Sequence, residues 1–189
     1  MVKVLDKPLL FYQLKILRSL NINDIYLVKG YRQNDLNFKG IKYFFNPDYA
    51  TTNMVYTLFF AREVLEMGED ILISYGDIIY NEKILKKIIN ANYQINIPID
   101  IKWEQYWRLR MENPLDDAET LKIDEKFNIL EIGKKPKNLE EISGQYMGLI
   151  KIRRDIVKRL FKLWEEIDKD ILHDGKSYKQ MYMTTFIQY

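Results

Sequence analysis

An α/β fold built on a doubly wound, mostly parallel sheet is predicted by three features of the sequence. Strand patterns alternate with helix patterns through the first half of the chain, an order that lays parallel strands between two layers of helix. The stretch DILISYGDIIY, residues 70–80, runs apolar and then places a carboxylate, Asp77, directly after Gly76, as at the C-terminal end of a strand where open α/β sheets collect their ligands. In the second half, AETLKID and FNILEIG read as an inserted β-hairpin with a longer turn.

Taken in order, Val2 to Leu5 reads as an opening strand. DKPLLFYQLKILRSL follows as a helix, with Asp6 as its cap, Pro8 near its first turn and Leu10, Leu14 and Leu17 at helical spacing. Ile25 to Val28 is a short apolar strand ending at Gly30, and IKYFFNP is a second, closed by Asn46 and Pro47. TTNMVYTLFFAREVLEMGE reads as one helix, capped by Thr51, Thr52 and Asn53 and stopped at Gly68. After the strand at 70–77 come the helix NEKILKKIINAN and the apolar strand INIPIDI. GQYMGLIKI is a further strand, with Gly148 marking a close approach. DIVKRLFKLWEEIDKDI and SYKQMYMTTFIQY are helical in pattern. The length of 189 residues fits one domain over 1–189, and no repeat, low-complexity tract or linker divides it.

Composition excludes several chemistries. The chain has no cysteine and one histidine, so disulfides, thiolate nucleophiles, thiolate zinc sites and histidine clusters are ruled out, and any metal is held by oxygen. Net charge is +2, with 29 basic and 27 acidic side chains intermixed, which points neither to nucleic acid nor to an anionic membrane. No stretch approaches the roughly 18 apolar residues of a membrane span. A cytoplasmic protein is expected. His173 reads as an ordinary surface residue, and GKS at 175–177 fails as a P-loop because Asp170 stands where its first glycine belongs.

Asp77 is the foremost candidate for chemistry. Three readings are open: a ligand to a hard cation, aided by a tight backbone turn at Gly76, a cap for the helix beginning near Asn81, or an acid that simply solvates a loop.

The ordered set KPLLFYQLKIL, INDIYLVKGY, NPDYATTNMVYTLFFA, ISYGDIIY, WEQYWRLRMENPLDDAETLK, IGKKP and GQYMGLIKI resembles the nucleotidyltransferase family that includes phosphocholine and phosphonate cytidylyltransferases. The acceptor-side segments resemble the subgroup acting on phosphonates, phosphocholine or phosphoglutamine. The resemblance implies a Rossmann-like sheet, CTP as substrate, Mg²⁺ as cofactor, and attack by an acceptor phosphate or phosphonate oxygen on the α-phosphorus with release of pyrophosphate. It implies use in surface polysaccharide or lipid decoration, and it allows a homodimer.

By that resemblance Asp77 is the Mg²⁺ ligand, Thr52 and Asn53 contact the nucleoside, and Lys135 reaches the phosphates. Asp100, Trp103, Trp107, Arg110 and Glu119 belong to the acceptor side. Each has a structural alternative: helix capping for Thr52 and Asn53, a turn lysine for Lys135, core packing for the tryptophans and an exposed acidic turn for Glu119. Facing a cleft, the tryptophans would box a cationic head group and Arg110 would hold an acidic one.

Against the family pattern, the chain begins after the expected glycine-rich loop, and WEEID at 164–168 falls in the wrong order for the second metal carboxylate, so Asp168 is set aside. A domain incomplete at both ends is expected, with a non-catalytic fragment acting through a partner subunit as the alternative function.

Overall fold

The computed structural model describes residues 2–189. Its strands are β1 (Lys3–Val4), β2 (Lys7–Pro8), β3 (Ile25–Lys29), β4 (Ile41–Phe45), β5 (Ile71–Ser74), β6 (Ile95–Asn96), β7 (Ile99–Asp100), β8 (Leu121–Ile123), β9 (Ile129–Ile132), β10 (Gln145–Tyr146) and β11 (Leu149–Ile152). Its helices are α1 (Leu9–Ser19), α2 (Met54–Leu58), α3 (Arg62–Leu65), α4 (Glu82–Asn90), α5 (Trp103–Arg108), α6 (Arg154–Glu166) and α7 (Met183–Gln188).

β3 and β4 pair in parallel, Val28 opposite Phe44. β11 lies between β5 and β6 and runs antiparallel to both, so β5 and β6 point the same way. The α/β class is as the sequence predicts, with β11 as the reversed strand. Period-two alternation decides which side chains face which helical layer. Ile150 and Ile152 of β11 turn to one face, with Ile71, Ile73 and Ile95, and pack on α2, α6 and α7 through Val55, Val157 and Phe186. Leu149 turns to the other face, where Leu72, Leu17 of α1 and Leu85 and Ile88 of α4 enclose it. Each fully buried aliphatic side chain contributes roughly 1.5–3 kcal/mol, and β11 supplies three of them to the two layers. Lys151, between these apolar residues, donates to the carbonyls of Ile89 (2.8 Å) and Ala91 (3.1 Å) and closes the C-terminal end of α4. A smaller cluster of Trp103, Ala118 and Ile142, with Trp107, Leu115 and Leu139, joins α5 to the turns that follow it.

Several expectations are corrected. The predicted opening strand is a two-stranded β1–β2 hairpin, and Asp6 lies in its turn at φ 62° rather than capping α1. The predicted helix over 51–69 breaks into α2, a 3₁₀ turn at Phe59–Ala61 and α3, the break falling where Phe59 stacks on Trp164 at 4.6 Å. The last helical stretch shortens to α7, because the carbonyls of Lys179 and Gln180 turn toward Asn53. His173 is not a surface residue. It is 2% exposed, with Nδ1 2.7 Å from Tyr189 Oη and Nε2 2.7 Å from the Asp168 carbonyl, so it fastens the turn after α6 to the end of the chain.

Candidate active site

The strand end that carries Asp77 is held by a buried amide. Gln13 of α1, 3% exposed, donates from Nε2 to the carbonyls of Tyr75 (2.8 Å) and Ile78 (2.7 Å), while its Oε1 accepts from Ser74 Oγ (3.1 Å). The main chain from 74 to 78 is thereby fixed on both sides of Asp77. Gly76 has no positive φ, so the chain turns there without a left-handed backbone. Asn81, through its Oδ1, caps α4 at the Ile84 N–H (2.9 Å). Asp77 is therefore not the cap. It stands exposed, with no side-chain hydrogen bond among the described residues.

A second amide organises the neighbouring loop. Asn46 is fully buried at the end of β4, donates to Thr52 Oγ1 and Thr57 Oγ1 (both 2.9 Å), and accepts from the Asp48 N–H (2.9 Å). Thr52 Oγ1 in turn donates to the Asp48 carbonyl at 3.0 Å. Asn53 is the N-cap of α2, accepting from the Met54 N–H, and its own N–H donates to the Lys179 carbonyl at 2.9 Å. Thr52 and Asn53 are thus brought together at the beginning of α2, on bonds that shape the loop.

Tyr75, at the strand end itself, belongs to a second group of part-buried side chains. Tyr75 and Tyr146 meet edge to face with ring centroids 5.7 Å apart. Burial pushes the Tyr75 phenol far up, and Tyr146, Glu119 and Asp77 push it further, so this ring lies within electrostatic reach of both carboxylates. Burial likewise pushes Tyr146 up to about 12. Gln145 locks the main chain of Glu119, donating to its carbonyl at 2.6 Å and accepting from its N–H at 3.2 Å. The Glu119 carboxyl is pushed up by burial, an effect that Thr184 opposes and the charges of Asp117 and Asp174 reinforce.

The remaining predicted residues surround α5. Asp100 Oδ1 accepts from the Lys102 N–H at 2.8 Å at the entry to α5. Trp103 is buried in its own apolar cluster. Trp107 touches it edge to face and donates from Nε1 to Asp117 Oδ2 at 3.1 Å. Arg110 lies over Tyr106 and Trp107 at 5.3 and 5.5 Å, so the exposed part of this aromatic surface is covered by the chain's own cation. Lys135 donates to the carbonyls of Leu115 and Asp116 and holds that turn.

No three carboxylate or imidazole side chains among the described residues converge as metal ligands. A broad apolar groove between α4, β6 and the β8–β9 hairpin, lined by Ile88, Ile95, Ile99 and Phe127, contains none of these site residues. No described helix is long and apolar enough to cross a membrane. Gln13 and Asn46 escaped sequence reasoning. Each is a buried amide, and the available signal was its place, within the apolar face of a helix or directly after a strand.

Comparison with known proteins gives the arrangement its context. No protein-family model matches the chain. It is 40% identical over 197 aligned positions to the CTP:phosphoglutamine cytidylyltransferase of Campylobacter jejuni subsp. jejuni serotype O:2, covering 100% of this chain and 78% of that protein. It is 27% identical over 97 positions to the choline-phosphate cytidylyltransferase of Streptococcus pneumoniae, covering 49% of this chain and 42% of that one. Among solved structures, the inositol-1-phosphate CTP transferase of T. maritima superposes with a TM-score of 0.69 at 16% identity, over 99% of this chain and 69% of that one. The shared α/β architecture and the identity maintained along the whole sequence establish that this chain belongs to the cytidylyltransferase family of nucleotidyltransferases.

Proposed function

We propose that the chain transfers CMP from CTP to a small phosphorylated or phosphonate acceptor, of the phosphocholine, aminoethylphosphonate or phosphoglutamine class, releasing pyrophosphate. The observation that carries this reading is the 40% identity, along the entire chain, to a protein named as a CTP:phosphoglutamine cytidylyltransferase. Supply of an activated head group for surface polysaccharide or lipid decoration, in the cytoplasm, follows the same reading.

In the reaction an acceptor oxygen attacks the α-phosphorus. The new P–O bond forms as the α–β bond breaks, and pyrophosphate departs with the bonding pair. The acceptor brings its own nucleophile, so the protein's work is positioning and charge neutralisation. That suits a chain with no cysteine and with its one histidine committed to a structural contact.

Asp77 is the residue that would hold Mg²⁺. A single exposed carboxylate fits a cation that is commonly bound by one or two carboxylates with substrate phosphates and water. When bound, Mg²⁺ supplies neutralisation of phosphate charge. Gln13 keeps the Asp77 backbone in place, and Thr52 and Asn53 line the nucleoside side. Glu119, Asp100, Trp107 and Arg110 serve the acceptor side, with Trp103 and Lys135 holding the surrounding turns. Pyrophosphate release should be measured with each of the four nucleoside triphosphates and a panel of phosphorylated and phosphonate acceptors. Release with CTP and one acceptor is expected; equal release with all four nucleotides, or none, would reject the reading.

A further inference from the structure

The direction of the hydrogen bonds around Asn46 is set by a group that cannot turn. The Asp48 N–H is a backbone donor, so the side-chain atom 2.9 Å from it is the Asn46 oxygen, Oδ1. That places Nδ2 on the other side, where its two protons go to Thr52 Oγ1 and Thr57 Oγ1, each at 2.9 Å. Thr52 Oγ1, already accepting, donates to the Asp48 carbonyl at 3.0 Å. A lone pair is then all that the Thr52 hydroxyl has left to offer. Asn53 has the opposite polarity. Its Oδ1 accepts from the Met54 N–H at 2.9 Å, so its Nδ2 faces away, with one proton toward the Gln180 carbonyl at 3.4 Å and the other without a partner among the described residues. The turn that carries both side chains is held firmly. Asn46 is fully buried, its own N–H extends the β3–β4 pairing by donating to the Lys29 carbonyl at 2.8 Å, and a Cβ at Gly30 would lie 2.5 Å from that of Tyr49. A buried network in which every group is paired fixes proton positions as well as atoms.

We propose that this turn discriminates between pyrimidines by proton order, with Thr52 as the specificity-determining acceptor and Asn46 as the positioning residue that keeps it one. The inference rests on the reading given above, that Thr52 and Asn53 line the nucleoside side, and adds which base they accept and why. Cytosine presents an amino donor at N4 and an acceptor at N3, whereas uracil presents a carbonyl acceptor at C4 and an N–H donor at N3. An acceptor at Thr52 beside a donor at Asn53 matches the first edge and opposes the second at both positions. To meet an oxo group, the Thr52 hydroxyl would have to turn away and break its bond to the Asp48 carbonyl. Adenine carries the same donor and acceptor on a larger ring, so uracil, equal to cytosine in size, is the comparison that isolates proton order.

The test is calorimetric titration of the whole chain with CTP and with UTP in the presence of Mg²⁺. Wild type is compared with Thr52→Val, which keeps the shape and removes the oxygen, with Thr52→Ser, which keeps the oxygen, and with Asn46→Leu. Circular dichroism verifies that each variant is folded. Wild type and Thr52→Ser should bind CTP on the order of 10-fold more tightly than UTP. Thr52→Val should bring that ratio near one, chiefly by weakening CTP, and Asn46→Leu should lower it as well. A purely structural role for these side chains would weaken both nucleotides alike and leave the ratio unchanged. Equal affinities in wild type, tighter binding of UTP, no binding of either, a ratio lost in Thr52→Ser, or a ratio retained in Thr52→Val or in folded Asn46→Leu would each overturn the proposal. Should Asn46→Leu not fold, the two Thr52 variants decide. Pyrophosphate release is followed in parallel. Release selective for CTP in wild type and equally selective in Thr52→Val overturns the proton order but not cytidylyl transfer. A CTP-selective ratio that Thr52→Val abolishes, without release from any acceptor, sustains the proton order and rejects cytidylyl transfer.

Discussion

The ring of Tyr75 fills the space that a side chain at Gly148 would need: a Cβ there would lie 2.9 Å from Tyr75 Cδ2, and the Gly148 carbonyl accepts from the Tyr75 N–H at 2.9 Å. The β5–β11 pairing thus continues past the strand end and sets the Tyr75 ring edge to face against Tyr146. Gly148 also has φ 73°, a conformation that side chains resist. Gly148→Ala should therefore destabilise the protein by about 1–3 kcal/mol and reduce turnover by displacing Tyr75. Urea unfolding and pyrophosphate release measure the two effects.

Gln13 makes a prediction of its own. Gln13→Leu keeps the apolar contacts of α1 but leaves the Tyr75 and Ile78 carbonyls without their donor. A loss of about 1–3 kcal/mol is expected. Because these carbonyls bracket Asp77, turnover should fall in a variant that still unfolds cooperatively. A destabilised variant with wild-type turnover would remove Gln13 from the positioning of Asp77.

The pH dependence of stability follows from Glu119. Its carboxyl is raised by burial, so the folded protein holds this proton more tightly than the unfolded chain does. The contribution is favourable below the ordinary glutamate range and is lost as pH rises through the folded-state value. Once the pH is high enough to ionise it, the desolvated carboxylate opposes folding, and Glu119→Gln should then raise the melting temperature. The difference between variant and wild type should shrink as the pH falls toward the ordinary glutamate range. Melting curves of both proteins from pH 4 to 8 test the sign.

Asp77→Asn separates chemistry from stability. The side chain is exposed and makes no hydrogen bond among the described residues, so stability should change by no more than about 0.5 kcal/mol. Metal-dependent pyrophosphate release should disappear, as it should in wild type on chelation of Mg²⁺. Unchanged turnover would remove Asp77 from the metal site.

The fold was more legible in the sequence than the site. Alternating strand and helix patterns located β3, β4, β5, α4 and β11, because each carries its periodicity within a few residues. Gly148 announced a close approach because a glycine inside an apolar strand has few other uses. The direction of β11 was hidden, since strand order depends on pairing between distant segments. His173 looked like a surface residue, and Gln13 and Asn46 showed no sign of burial, because their partners lie 16, 62 and 65, and 6 and 11 positions away. Glu119 was identified through resemblance, but its burial beside Thr184 depends on a distant segment that no local pattern connects to it.

The most direct test of nucleotide use is thermal unfolding of this chain with Mg²⁺ and increasing CTP, with ATP as the control. At a CTP concentration of roughly 100 times Kd, linkage contributes about 2.7 kcal/mol, or roughly 5–11 °C for a domain of this size. A rise of that order with CTP and little with ATP is the expected result. A cooperative transition that CTP does not move, or that ATP moves equally, would contradict a CTP site in this chain.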